Sequence, residues 1–391
     1  MVAIGFIIKY IQTHQLGEVD YGEYAFFTGL TTFLVLFFKF GFFSSIQVLL
    51  THNYNPQRER KLLGAGYLIA LLNGIGMALI MWLASYFVND LFNTHIGVHL
   101  QMLAPLTFIL PFDFLIGSYT TGTNRIKVLS YFKVLPKLVY LTALIVVYLL
   151  SDITLQNTIL LNLISTIFYG FFLLFYLNPD FRNLGPTLRL IWNKNGKYGI
   201  HEYTGSVLGQ ATYNLDQLFI SFYINTTQLG FYSLALLLCT PMIMMSQSVS
   251  RSIFRSYSSR HDIPKKLIHY NILWLSLCVL FLALFSKIIV TYLFGVEFLT
   301  TVDYILPLTV VFFIHGLYIP YSFLEAKSKG KELRNAKLLE AAINIVGNII
   351  LIPIYHVYGA IITSAIAKLV YYFLIRRYYL IYQRERGLKS V

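Results

Sequence analysis

Residues 267–294 read LIHYNILWLSLCVLFLALFSKIIVTYLF, and this stretch decides the fold class. It is longer than the roughly 20 apolar residues that cross a hydrocarbon core as a helix. Lys265 and Lys266 stand before it, and a turn with Gly295, Glu297 and Asp303 but no basic residue follows. Cytoplasmic connections carry the excess of Lys and Arg, so the run is a membrane span that enters from the cytoplasm.

Outward from it the same unit recurs. Apolar runs lie near 1–12, 21–50, 62–88, 100–120, 134–150 and 157–177, and then near 202–223, 228–249, 303–324, 338–355 and 357–375. With 267–294 they predict an all-α polytopic membrane protein of about twelve transmembrane helices. The composition agrees: of 391 residues, 57% are hydrophobic, 17% aromatic and only 12% charged, with a mean hydropathy of +0.65. A soluble domain carries about a quarter charged residues. The first run is short, reaching about 18 Å as a helix against about 30 Å of hydrocarbon, so it reads as truncated at its cytoplasmic end by a late start codon or an incomplete chain.

A net charge of +13 in a soluble protein would raise nucleic-acid binding, but the placement excludes it. Of the 30 Lys and Arg, 26 fall in six alternate segments, 51–61, 120–137, 178–201, 250–266, 325–337 and the C-terminal tail. The intervening connections hold none and carry Glu18, Asp20, Asp90, Asp152, Glu297 and Asp303 instead. The expected location is a multi-pass protein of the cytoplasmic (inner) membrane with both termini in the cytoplasm. Cys239 and Cys278 lie inside apolar runs, which offers neither a disulfide framework nor a metal cluster.

The longest polar stretch, 178–201, divides the chain. It separates a six-span lobe, 1–177, from a second, 202–375, followed by a basic tail, 376–391. Leu184, Leu188, Leu190, Ile191 and Trp192 beside Arg189 and Lys194 give the linker the pattern of either a short interfacial helix or a plain loop. Gly22-Glu-Tyr24 and Gly230-Phe-Tyr232 occupy corresponding places in the two halves, as do Pro105-Leu-Thr107 and Pro307-Leu-Thr309. Halves of six spans each are parallel repeats, related by a pseudo-two-fold axis along the membrane normal.

No phosphate loop, zinc-protease motif or nucleophile elbow is present, and the external connections are too short for a glycosyltransferase's outer loop. The reading is a transporter, not an enzyme, with no cofactor and no metal. Charges inside spans then mark function, because each is costly in hydrocarbon. Lys9, Lys39, Asp113, Asp216, Lys287 and Lys368 lie within the predicted spans, four of them basic, and an anionic cargo explains that sign. Lys287 and Lys9 lie near span ends, where snorkelling to the interface is the alternative. Thr28, Thr32 and Lys39 fall within about 40° of one another on a continuous helix. Ser364 and Lys368 are one turn apart, and Glu340, Asn344, Gly347 and Asn348 form a stripe for which helix–helix hydrogen bonding is the alternative. The seventh run is the most polar, with Ser206, Gln210, Asn214, Gln217 and Ser221 on one face and Asp216 at its border. Asp216 reads as an ion-coupling residue or as half of a buried salt bridge.

Leu16-Gly17-Glu-Val-Asp-Tyr21-Gly22-Glu-Tyr24 resembles the signature of the O-antigen/polysaccharide flippases of the multidrug/oligosaccharidyl-lipid/polysaccharide exporter superfamily. Asp216-Gln-Leu-Phe-Ile-Ser, Leu229-Gly230-Phe-Tyr232, Asn344-Ile-Val-Gly-Asn348 and Tyr358-Gly359-Ala360 are similar to that family's motifs. The resemblance implies a MATE-like fold and alternating access around a cationic cavity. It implies as cargo an undecaprenyl-diphosphate-linked oligosaccharide moved to the external leaflet. In that frame Lys39, Lys368 and Lys9 are the candidate cavity cations. Asp216, Gln210, Asn214, Gln217, Asp113, Asn344 and Asn348 are the candidates for a polar path or ion coupling. The implied partners are the lipid-linked oligosaccharide, the bilayer, a polysaccharide polymerase, a chain-length regulator, and H+ or Na+. A cation-coupled multidrug antiporter of the same superfamily and a non-transporting scaffold for polysaccharide assembly are the competing readings.

Overall fold

The computed structural model describes residues 2–51, 55–257, 260–327 and 329–387. The chain divides into two compact units, residues 1–214 and 215–391.

The first unit opens with α1 (Val2–Phe37), interrupted at Gly17, whose φ of 67° and ψ of −177° belong to a region open essentially to glycine alone. Along one straight helix Lys9 and Tyr24 would stand about 22 Å apart. Instead the Lys9 Nζ lies 4.8 Å from the rings of both Tyr21 and Tyr24, so the chain turns back at Gly17. A second break follows at residues 38–41, where Phe40 and Gly41 both take positive φ, and α2 (Phe42–Thr51) leaves at 64°. The run 21–50 is therefore not one continuous helix. Lys39 sits in the turn, beyond the end of the helix that carries Thr28 and Thr32.

α3 (Pro56–Ala84) starts on Asn55, whose side chain accepts from the backbone N–H of Gln57 at 3.0 Å, with Pro56 at the position that needs no donor. Short α4 (Val88–Phe92) and α5 (Gly97–Leu103) follow. The run 100–120 is then divided. Pro105 and Pro111 break it into a 3-10 segment (Ala104–Ile109) and α6 (Phe112–Gly122). α7 (Ile126–Leu150) begins eight residues before the apolar run 134–150, so Lys133, outside that run, stands on the same helix as Lys137. α8 (Leu155–Leu177) is capped by Thr154, which accepts from Asn157 N–H at 3.2 Å. α9 (Gly185–Lys194) forms within the polar stretch. Its Ile191 is fully buried among Phe43, Leu62, Leu63 and Leu115, while Leu190 and Trp192 stay exposed.

α10 (Ile200–Tyr223) carries residues of both units. The second unit continues with α11 (Thr226–Tyr257), α12 (Lys265–Leu293), α13 (Thr300–Tyr318), α14 (Phe323–Ala326), α15 (Gly330–Tyr355) and α16 (Val357–Gly387). α16 runs past the predicted end of its span and carries Arg376, Arg377 and Arg384 on the helix. At its basic end Phe323 packs edge-on against Tyr257 and Tyr379.

Among the described residues nine helices are long and apolar enough to cross a membrane, or ten if the bent pair α1 and α2 is one span. To reach the expected twelve, the segment before Gly17 and the polar α10 would each have to cross as well. Exposed Leu277, Phe281, Leu284 and Ile288 recur at helical spacing along α12, an apolar outer face suited to lipid. Lys287 is exposed on that same helix, as a snorkelling lysine is.

Candidate functional site

A cavity of about 760 Å³ lies within the first unit. Its wall is built from α1 (Thr31, Thr32), α3 (Tyr67), α6 (Phe112, Asp113, Phe114), α7 (Lys133, Pro136, Lys137, Tyr140), α8 (Asn162, Thr166, Tyr169) and Asn214 of α10. Lys133 and Lys137 are four residues apart and so share one face of α7. Thr31 and Thr166 satisfy their own helices by donating to Phe27 O at 2.8 Å and Asn162 O at 2.9 Å, which leaves their oxygens as acceptors. The wall is thus mixed: two ammonium groups, one carboxylate, hydroxyls, amides and aromatic rings. Such a surface can hold a hydrated, anionic, hydroxyl-bearing ligand.

The lysines singled out from sequence take other places. Lys39 puts its Nζ 3.9 Å from the Phe114 ring, whose side chain lines the cavity. Lys9 sits behind the wall between Tyr21 and Tyr24, and the Tyr24 hydroxyl accepts from Asn162 Nδ2 at 2.8 Å. Asn214 and Asp113 do line the cavity. The side chains of Ser206 and Gln210 lie outside the described residues. From sequence, Lys133 and Lys137 count only among the charges of the basic segment 120–137; their spacing of four residues at the start of an apolar run was the available signal.

The second unit holds a separate polar cluster. Asp216 of α10 is buried, and its carboxylate accepts from three helices. Asn348 Nδ2 of α15 donates to Oδ1 at 2.7 Å, and Ser364 Oγ of α16 and Tyr232 Oη of α11 donate to Oδ2 at 2.9 and 3.3 Å. Asn344 Nδ2 donates to Ser364 Oγ at 3.3 Å, and Asn348 Nδ2 also reaches Asn344 Oδ1 at 3.1 Å. The stripe on α15 and the polar residues of α16 can meet because Gly347 faces Thr363. A Cβ at position 347 would lie 2.6 Å from the Thr363 Cγ2. Gln217 is half-buried on the same helix as Asp216, and Ser221 is fully buried one turn further on.

One turn along both helices Lys368 pairs with Glu340, Nζ to Oε1 at 3.6 Å, with both side chains largely buried. Lys368 is thus a cation paired with a carboxylate, and Glu340 joins the buried charges. The cluster holds two carboxylates to one ammonium, an arrangement that attracts a small cation or a proton. Among the described residues no hydrogen-bond partner reaches the buried Asn348 Oδ1. Among the described residues no three His, Cys, Asp or Glu side chains converge as a metal site.

With this geometry in place, comparisons place the chain among known proteins. A family model described as "Polysaccharide biosynthesis protein" matches residues 1–254. A multidrug resistance MATE family transporter of the MOP superfamily in its inward-facing conformation superposes with a TM-score of 0.76 at 14% identity, covering 98% of this chain and 96% of that one. The lipid II flippase MurJ, inward closed, superposes with a TM-score of 0.69 at 15% identity, covering 96% and 84%. A MOP superfamily transporter from Pyrococcus furiosus, whose binding pocket is described as reversed in polarity, gives 0.62 at 13% identity, covering 97% and 92%. No curated protein sequence matches the chain. The likenesses establish the fold, an all-helical membrane architecture shared with MATE transporters and MurJ.

Proposed function

Since the chain belongs to the polysaccharide biosynthesis protein family and has the MATE-like fold, we propose that it is a flippase for polyprenyl-diphosphate-linked oligosaccharides. The cargo is the undecaprenyl-diphosphate-linked repeat unit of an O-antigen or similar surface polysaccharide. It moves from the cytoplasmic to the external leaflet of the inner membrane by alternating access between two six-helix lobes. The mixed wall of the first unit's cavity carries this reading. Lysines answer a diphosphate, while hydroxyls, amides and aromatic rings answer sugars. The lipid tail needs no polar site and stays in the bilayer.

The second unit supports coupling. Asp216, with donors from three helices, is suited to take up H+ or Na+ as the cycle turns. The chain performs no bond-making in this scheme and hands its cargo to a polysaccharide polymerase and chain-length regulator outside. The excess of carboxylates at Asp216 and Glu340 also favours the competing reading, a cation-coupled multidrug antiporter. Depletion of the protein in its own host separates the two. The flippase reading predicts accumulation of the lipid-linked repeat unit on the cytoplasmic leaflet with drug sensitivity unchanged. Sensitisation to organic cations without that accumulation would support the antiporter.

A further inference from the structure

Which residues of the first unit would meet the anionic part of a cargo follows from how its charges face one another. Lys133 and Lys137 line the cavity one turn apart, so their Cβ atoms are about 6 Å from each other. Flexible lysine stems from two such points converge on adjacent phosphates. Asp113 lines the same cavity, and the charges acting on it are those of Lys133 and Lys39. Lys39 is shared in turn with Glu202. On the cavity wall two lysines stand against one carboxylate, which leaves an excess of one positive charge.

We infer that Lys133 and Lys137 form the diphosphate-binding pair, and that Asp113 is a built-in counter-ion which the diphosphate displaces from Lys133. The assignment rests on the transport reading above and deepens it. A diphosphate diester carries about two negative charges, one per phosphate, and outcompetes a single carboxylate for the pair. Asp113 keeps the empty cavity close to neutral and lowers affinity enough to permit release. The shared chemistry is a diphosphate, whether lipid-linked or free.

The test uses the full chain in nanodiscs with a fluorescent short-chain polyprenyl-diphosphate disaccharide, inorganic pyrophosphate as competitor, and the same disaccharide probe for transport in liposomes. Lys133→Gln and Lys137→Gln should each weaken binding about tenfold, Asp113→Asn should tighten it by a similar factor, and Lys133→Arg with Lys137→Arg should retain it. Lys287→Gln on the lipid face is the control and stays at the wild-type value. Competition by inorganic pyrophosphate would identify the diphosphate alone as sufficient; retention of the probe against it, with the lysine dependence intact, would identify the lipid-linked form. Wild-type binding by both glutamine variants, in protein that transports the probe, would overturn the assignment and leave the transport reading standing. Wild-type protein that neither binds nor transports the probe would overturn both.

Discussion

The amide of Asn348 donates to the carboxylate of Asp216 across 132 residues of chain, at 2.7 Å and out of reach of solvent. The transport reading expects an ion to exchange on a carboxylate so held, since an apolar core would be easier to build. Asp216→Asn should therefore leave a folded protein whose transport no longer responds to a proton or sodium gradient. Transport measured with and without each gradient checks this, and an undiminished response to either ion would place coupling elsewhere.

Asn348→Ala removes the shortest of the donors to Asp216. The expected cost is about 1–3 kcal/mol, that of leaving a buried acceptor short of a partner. Thermal unfolding of the purified variant should show a lowered Tm. Ser364→Ala should cost less, because the Tyr232 hydroxyl also donates to the same oxygen.

Lys368 and Glu340 should behave as a unit. Glu340→Gln alone strips the buried ammonium of its counter-charge, and Lys368→Met alone does the reverse. Each should destabilise by several kcal/mol at most, while the double variant recovers part of the loss, giving a coupling of about 1 kcal/mol or more. A double-mutant cycle on Tm reads this directly. Strict additivity would mean that the 3.6 Å pair contributes nothing.

Gly347 lets α15 and α16 approach closely enough for the Asp216 cluster to form. Gly347→Val drives a side chain into the stiff, branched Thr363 and should cost about 1–3 kcal/mol. Thr363→Ala in the same chain should restore most of the stability. Gly17→Ala meets a different obstacle, a backbone conformation that side chains avoid, and should lower the Tm by a comparable amount with no rescuing partner.

Much of this was legible in the residues. Asn344 and Asn348 at a spacing of four, and Ser364 and Lys368 at the same spacing, mark single faces of α15 and α16, and a continuous helix preserves that phase. Asp216 stood out as a carboxylate in an apolar run. What was lost lay where helices break or begin. α1 ends at Phe37, two residues before Lys39, and nothing in an apolar pattern announces that break. Lys133 and Lys137 count by charge among the basic residues of segment 120–137, although α7 starts at Ile126 and carries both. Tyr232 belongs to a recognised motif, Gly230-Phe-Tyr232, but only the packing of α11 shows that its hydroxyl reaches Asp216.

The most direct test of the central claim is translocation in liposomes. The purified chain is reconstituted with a fluorescent short-chain polyprenyl-diphosphate oligosaccharide, and the fraction protected from an external quencher is followed over time. The account predicts protein-dependent movement that requires the diphosphate, accelerates with an ion gradient and loses that acceleration in Asp216→Asn. Absence of movement for this probe and for the native repeat unit, with organic cations exported by the same liposomes, would contradict it.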